Sequence, residues 1–115
     1  MTQSAIDVTT FNELKETAGA DFINELVDTF LTEAPLMLDE LHRAFAARDP
    51  DVFRRAAHSL KSNANTFGAH TLGAMARELE LTGLDAVLKG GAQPLEALAL
   101  EYARVSAALT ELRNG

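Results

Sequence analysis

Apolar side chains recur every three or four residues along almost the whole chain, with charged and polar residues between them. This spacing predicts amphipathic α-helices, because each residue turns a helix by about 100° and the same face returns every three to four residues. No useful length of sequence alternates apolar and polar residues as a half-buried strand does, and there is no internal repeat or low-complexity tract. The pattern predicts an all-α protein.

Capping and helix-breaking residues divide this pattern into successive helices. Thr10, with Glu13 three residues later, forms a capping-box pattern that predicts a short first helix ending at Gly19. Asp21 is predicted to cap a second helix that stops before Pro35, and Pro35 to open a third. The side chains of the second helix predicted to face inward are Phe22, Ile23, Leu26, Val27, Phe30 and Leu31.

The second half of the chain shows the same signals. Asp49 as a cap and Pro50 in the first turn predict the start of a fourth helix, which ends at Gly68. A fifth helix is predicted over residues 69–82. Residues 84–93 are predicted to form a connection with room for a little helix.

A narrow apolar seam predicts the last helix, which opens at Pro94. The seam is formed by Leu95, Leu98, Tyr102, Val105, Leu109 and Leu112. It suits the closing helix of an antiparallel four-helix bundle, with the first helix as a cap and a core over residues 20–112. A homodimeric coiled coil is the alternative. It is disfavoured because the bundle needs this apolar face to complete its core.

Length and composition predict a single domain over residues 1–115, because 115 residues with 47% hydrophobic content suit one core. There is no cysteine, which excludes disulfides and thiolate chemistry. No apolar run approaches the roughly 18 residues of a membrane span, and the N-terminal sequence lacks the features of a signal peptide. We therefore expect a cytoplasmic monomer without membrane contact, either free-standing or a cleanly bounded domain.

The net charge of −7 argues against a nucleic-acid partner, because a phosphate backbone would be repelled. The charge is unevenly distributed. Residues 50–77 carry four basic side chains and one acidic, whereas acidic side chains predominate on both sides of this stretch. The predicted fourth helix thus lies in the one net positive part of an acidic chain. Such a local positive charge is expected of a site that binds anions.

One histidine on this helix falls off its apolar face. His58 is predicted at the surface near the middle of the helix. Its neighbours on that surface are Arg54, Arg55, Lys61 and Ser62, with Asn65 one turn further on. An exposed imidazole is mostly neutral at pH 7, so a ring nitrogen is free to attack an electrophile such as phosphorus. By spacing alone, however, a surface histidine is most often an ordinary solvated residue.

The sequence around His58, AHSLKSNANTFGA, closely resembles the signature of histidine phosphotransfer (HPt) domains. The matching residues are His58, Leu60, Lys61, Ser62, Gly68, Ala69, Leu72, Leu79 and Glu80. Many members of that family have glycine at the position of Ser62. Serine is still small, so we expect slightly altered docking rather than loss of function.

The resemblance implies a phosphocarrier of two-component phosphorelays. His58 would attack through Nε2, taking a phosphoryl group from an aspartate of one receiver domain and passing it to another. The expected partners are receiver domains of hybrid histidine kinases and of response regulators. The chain itself would bind no cofactor, and Mg²⁺ would be held by the receiver. The residues expected to bind the phosphoryl group or the partner are Arg55, Lys61, Ser62, Asn65, Gly68 and Glu80.

The role of Glu80 has two interpretations. The resemblance implies that its side chain reaches His58 from the neighbouring helix, where it would fix the tautomer of the ring. Glu80 could equally be a solvated glutamate. Arg77 is a further residue that could pair with it. His42 and His70 are predicted to be bystanders, since neither lies at metal-ligand spacing from His58.

Two other functions compete with the phosphocarrier. One is a helical adaptor that binds a signalling partner without phosphorylation. The other is a metal-dependent hydrolase, which the lack of a ligand cluster disfavours. The sequence has no phosphate-binding loop or kinase signature, so we expect neither ATP binding nor autophosphorylation.

Overall fold

The computed structural model describes residues 5–91 and 93–114. This part of the chain is helical almost throughout, without a strand, which confirms the predicted all-α class. Its helices are α1 (Val8–Ala18), α2 (Ala20–Ala47), α3 (Pro50–Thr66), α4 (His70–Thr82), α5 (Leu84–Gly90) and α6 (Gln93–Asn114). The predicted domain also includes residues 1–4, Ala92 and Gly115, which lie outside the described residues.

Helices α2, α3, α4 and α6 form an antiparallel four-helix bundle. Helix α3 packs against α2 and α4, and α6 packs against the same two helices, so α3 and α6 occupy opposite corners. Short turns join α2 to α3 and α3 to α4, as antiparallel neighbours require. The short α1 packs on α2, and α5 packs on α4 and α3. The predicted bundle with an extra N-terminal helix is confirmed.

The core is built from the inward faces of these helices. Its largest fully buried side chains are Ile6, Phe11, Ile23, Val27, Leu41, Phe53, Leu60, Leu72, Leu84, Leu95, Leu98 and Leu109. Burial of these apolar surfaces is the main favourable term in folding. Among the described residues, no helix has both the length and the apolar content needed to cross a bilayer.

The predicted break at Pro35 is wrong, because α2 continues through it. Proline lacks the N–H that would bind the carbonyl of Leu31, four residues earlier, and normally kinks or ends a helix. Here the Tyr102 hydroxyl of α6 lies 3.5 Å from the Leu31 carbonyl oxygen, a long hydrogen bond. Packing on both sides of Pro35 against the rest of the bundle keeps α2 in one piece.

Three predictions about the first two helices are also wrong. Asp7 caps α1, since its Oδ1 accepts hydrogen bonds from the backbone N–H groups of Thr9 and Thr10 at 3.1 and 3.4 Å. Thr10 therefore lies inside the helix. Asp21 lies in the first turn of α2 and does not cap it, and Phe22 is 51% exposed instead of buried.

The predicted limits of α3 are confirmed. Asp49 Oδ1 accepts a hydrogen bond from the backbone N–H of Val52 at 3.2 Å, and Pro50 is the first helical residue. After Thr66 the chain turns through Gly68, whose φ of +82° is strained for any residue with a side chain. The connection at residues 84–93 holds α5, and hence more helix than predicted; Ala92 lies outside the described residues.

Candidate functional site

His58 lies near the middle of α3 with its side chain 57% exposed. The apolar face of α3 is buried in the bundle through Phe53, Ala56, Ala57, Leu60 and Ala64. Because His58 lies off that face, packing of the helix presents the imidazole to solvent, as predicted.

A carboxylate from the neighbouring helix holds the imidazole. His58 Nδ1 lies 2.8 Å from Glu80 Oε2, a hydrogen-bond distance between residues 22 positions apart in the sequence. The tight turn after Thr66 brings α4 back antiparallel to α3, so that Glu80 reaches the level of His58. Of the two interpretations of Glu80, the structure shows the contact with the histidine.

This contact distinguishes the two ring nitrogens. An ionised carboxylate only accepts hydrogen bonds, so the nitrogen that faces it carries the proton. Nδ1 is then the donor, and in the neutral ring Nε2 keeps its lone pair. Within the described residues, Nε2 has no hydrogen-bond partner. The arrangement therefore exposes a nucleophilic nitrogen to solvent.

Lys61 completes a three-residue cluster with His58 and Glu80. Its Nζ lies 2.9 Å from Glu80 Oε1, and the two side chains are 23% and 18% exposed. The contact is an ion pair at hydrogen-bond distance, and Oε1 is shielded from water and has no other donor in the described part. Glu80 thus bridges the ammonium and the imidazole, one with each oxygen.

The electrostatics of the cluster keep Glu80 ionised. The Lys61 ammonium lowers the pKa of the Glu80 carboxyl below its ordinary value, and the His58 ring adds a smaller effect in the same direction. Partial desolvation opposes both by favouring the neutral acid. At neutral pH the group facing Nδ1 is therefore a carboxylate, the form that fixes the tautomer.

Arg55 and Ser62 lie on the solvent side of α3. Arg55 Nε donates a long hydrogen bond of 3.4 Å to the Asp51 carbonyl within the helix. Ser62 is exposed one turn beyond His58, and its carbonyl accepts a bond from the Thr66 hydroxyl at 3.0 Å. Among the described residues, neither forms a hydrogen bond or ion pair with His58. Both lie on its side of the helix, where an approaching partner would meet them.

Asn65 and Gly68 are placed differently from the other expected site residues. Asn65 lies two turns beyond His58, and its side chain packs against Gly73 of α4. Gly68 is buried in the turn that follows α3. Its carbonyl accepts a bond from the Asp7 backbone N–H at 2.8 Å, which ties α1 to this turn. The contacts of Gly68 are therefore with the scaffold.

The other polar candidates lie apart from the cluster. His42 is exposed on α2. His70 begins α4, and its Nε2 is 3.5 Å from Asp7 Oδ2. Arg77 does not pair with Glu80, which contacts Lys61 instead. The described residues contain no group of three or more histidine, aspartate or glutamate side chains that could hold a metal ion.

Sequence reasoning missed the Lys61–Glu80 ion pair, although the spacing contained a signal for it. Lys61 follows His58 by three residues and so lies on the same side of α3, within reach of any carboxylate that reaches the imidazole. The contact of Asn65 with Gly73 was also missed. It depends on how closely α3 and α4 approach, for which the sequence contains no signal.

The fold and site together define an all-α bundle protein that presents one imidazole, held by a carboxylate and flanked by a lysine. The Hpt domain model matches residues 25–115. The chain therefore belongs to the Hpt domain family, which confirms the resemblance seen in the sequence.

Two relatives support this assignment. Over 84 residues, 73% of this chain, the sequence is 34% identical to the sensor protein TorS of Escherichia coli, of which the match covers 9%. The crystal structure of histidine-containing phosphotransfer protein B (HptB) from Pseudomonas aeruginosa matches with a TM-score of 0.89 at 27% identity. That match covers 98% of this chain and 97% of HptB. The chain thus spans a small part of TorS and nearly all of HptB.

Proposed function

We propose that this chain is a phosphocarrier that moves phosphoryl groups between receiver-domain aspartates through His58. The observation that carries the proposal is the contact of Nδ1 with Glu80, which leaves Nε2 as the exposed nucleophile. A carrier needs a nitrogen that accepts a phosphoryl group and can release it again. The site supplies such a nitrogen without any nucleotide-binding element of its own.

The transfer step uses groups that the site already holds. The Nε2 lone pair attacks the phosphorus of a receiver aspartyl phosphate, an N–P bond forms, and the P–O bond to the aspartate breaks with release of its carboxylate. The imidazole becomes positively charged, and its Nδ1 proton stays hydrogen-bonded to Glu80. The carboxylate thereby stabilises the charge that develops on the ring.

The reverse step hands the group to a second receiver by the same geometry. An aspartate oxygen attacks phosphorus, the N–P bond breaks, and the imidazole returns to its neutral form. Lys61 follows His58 by three residues on α3 and lies 2.9 Å from Glu80 Oε1, so in this scheme its ammonium offsets part of the charge of a phosphoryl group on His58. Mg²⁺ belongs to the receiver in this scheme, and the chain is a carrier without kinase activity.

We expect a receiver to dock between α2 and α3. A groove there is lined by Met37, Glu40, Val52, Arg55, Ala56 and Ser59, the last of which adjoins His58 in the sequence. Its apolar and small side chains, together with Ser62, leave room for a receiver to bring its aspartate to the imidazole. We expect the complex to be transient, since a carrier that stays bound to one receiver cannot reach the next.

Transfer of label from a phosphorylated receiver tests the proposal. The wild-type chain, incubated with the receiver and Mg²⁺, should acquire label that is acid-labile and alkali-stable, and His58→Gln should acquire none. His42→Gln and His70→Gln are matched controls that should be labelled like the wild type. The labelled protein should then pass its label to a second receiver.

Two results contradict the proposal in different ways. Label that persists on His58→Gln would show that another residue is the acceptor. Absence of label with every receiver of the same cell, despite binding to one of them, would favour the non-phosphorylated adaptor. Localisation in the cytoplasm and a monomeric state are part of the proposal, and sedimentation of the purified chain tests the latter.

A further inference from the structure

A glycine in the middle of α4 lies against the helix that carries His58. Gly73 is buried, and the space beside its Cα is filled by the side chain of Asn65. A Cβ added at Gly73 would overlap Asn65 Oδ1 and would lie 2.8 Å from Asn65 Cγ and 3.1 Å from Nδ2. Carbon atoms of proteins do not approach so closely, so even alanine does not fit here unless a neighbour moves.

Neither residue of this contact is a good choice for its own helix. Glycine in a helix interior loses more conformational entropy on folding than alanine, and asparagine competes with the helical hydrogen bonds. Local preference therefore does not explain either residue. Their mutual fit does, since the missing side chain of Gly73 creates the space that Asn65 occupies.

The contact has a fixed relation to the functional cluster. Asn65 follows His58 by seven residues on α3, and Gly73 precedes Glu80 by seven residues on α4. Seven residues make two helical turns, about 10.5 Å, and return a side chain to nearly the same face. Because α3 and α4 run antiparallel, the Asn65–Gly73 contact and the His58–Glu80 contact lie on one seam.

We propose that Gly73 is a positioning residue for phosphotransfer. With Asn65 packed on it, Gly73 sets the approach of α4 to α3 at which the Glu80 carboxylate reaches His58 Nδ1. A Cβ at this position must displace the side chain of Asn65, an exposed residue, or separate the helices. In the proposed arrangement the helices separate, and Glu80 moves away from the ring. The proposal rests on the function proposed above, in which the carboxylate fixes the tautomer of His58.

A double-mutant cycle tests the proposal. Gly73→Ala should slow transfer from a phosphorylated receiver to His58 about tenfold, since small misplacements of catalytic groups have effects of this order or larger. Asn65→Ala is measured alone as the reference for the double variant, since Asn65 is also among the residues expected to meet the partner. The double variant Asn65→Ala/Gly73→Ala should transfer within about twofold of Asn65→Ala alone, because the alanine methyl then has room.

Two further measurements separate positioning from a general loss of structure. The Nδ1 resonance of His58 should lose the signature of its hydrogen bond in Gly73→Ala and regain it in the double variant. In a Glu80→Ala background, Gly73→Ala should have no additional effect on transfer. Gly90→Ala is the matched control, because Gly90 is also helical and a Cβ there meets nothing within 4 Å.

Several results would overturn the proposal. Unchanged transfer and an unchanged Nδ1 resonance in Gly73→Ala would show that Asn65 swings aside and the helices stay in place. A defect that persists in the double variant, or that is equally large without Glu80, would show that Gly73 acts in another way. If no receiver phosphorylates the wild type, the proposed function fails, whereas the Nδ1 resonance still decides whether Gly73 positions Glu80.

Discussion

The Tyr102 hydroxyl of α6 lies 3.5 Å from the Leu31 carbonyl oxygen of α2, the helical acceptor that Pro35 leaves without a donor. The same aromatic ring packs against Phe30, with 6.0 Å between ring centroids. Burial raises the pKa of the Tyr102 hydroxyl, so it remains protonated and able to donate at neutral pH. The Tyr102 side chain of α6 thus supports α2 at Pro35, where the sequence of α2 would otherwise interrupt the helix.

Tyr102→Phe should lower the free energy of unfolding by about 0.5 to 1 kcal/mol, because it removes the donor to Leu31 and keeps the ring. In a Pro35→Ala background the effect should fall to a few tenths of a kcal/mol, since the new backbone N–H at position 35 then supplies the helical hydrogen bond. Urea unfolding of the four proteins measures both values. An equal loss in the two backgrounds would show that the hydroxyl does not compensate for the proline.

This compensation explains why sequence patterns predicted one helix too many before residue 49. Helix limits were predicted well where the capping group and its partner are close in sequence, as with Asp49 and the N–H of Val52. Pro35 is compensated by a residue 67 positions later, which no local rule detects. Thr10 was predicted to cap α1, whereas Asp7 caps it in the structure. Both residue types are good caps, so capping preference alone does not decide between them.

The candidate site likewise has features that the sequence predicts and contacts that it does not. The exposure of His58 follows from the apolar periodicity of α3 alone. The contact with Glu80 depends on the register of α3 against α4, and the family resemblance supplied it where periodicity left two interpretations. The contact of Asn65 with Gly73 was unpredictable, because it depends on sub-ångström details of helix approach.

Gly68→Ala should destabilise the protein more than Gly83→Ala does. Both glycines have a positive φ, +82° and +84°, so both substitutions carry backbone strain, and at Gly83 the ψ of 162° adds a conformation that is essentially restricted to glycine, a strain of about 1 to 3 kcal/mol. A Cβ at Gly68 would also lie 2.9 Å from the Asp7 carbonyl oxygen and 3.0 Å from Thr10 Cβ, whereas one at Gly83 meets nothing within 4 Å. Comparison of the two unfolding free energies tests whether the contacts with α1 add to the backbone strain. A loss at Gly68→Ala no larger than that at Gly83→Ala would show that α1 moves aside.

The ion pair between Asp28 of α2 and Arg113 of α6 should make stability depend on pH. Arg113 Nε and Nη2 donate to the two carboxylate oxygens at 2.6 and 2.8 Å, and this guanidinium lowers the pKa of the Asp28 carboxyl. A lowered pKa in the folded state means that the stabilisation is present above the pKa of the unfolded chain, about 3.9, and is lost as the pH falls through the folded value.

Asp28→Asn should therefore lower the thermal midpoint at pH 7, and its difference from the wild type should shrink as the pH falls below about 4. Glu25→Gln is the matched control on the same helix, since Glu25 forms no ion pair within the described residues. Thermal unfolding of the three proteins across this range provides the measurement. A difference that stays constant with pH would mean that the charge of Asp28 does not contribute.

Lys61→Ala should raise the pKa of the Glu80 carboxyl, because the Lys61 ammonium is the largest cause of its lowering. The same change should slow transfer to His58, since one positive charge near the incoming phosphoryl group is lost.

Lys61→Arg, which keeps the charge, should retain most of both properties. The thermal midpoint should fall modestly at neutral pH, because Glu80 Oε1, which is shielded from water, loses the ammonium beside it. An NMR titration of the Glu80 side-chain carboxyl, combined with label transfer from a receiver, measures both effects. A pKa that stays low without Lys61 would show that the His58 ring alone holds Glu80 ionised, and the cluster would then act as a pair rather than a triad.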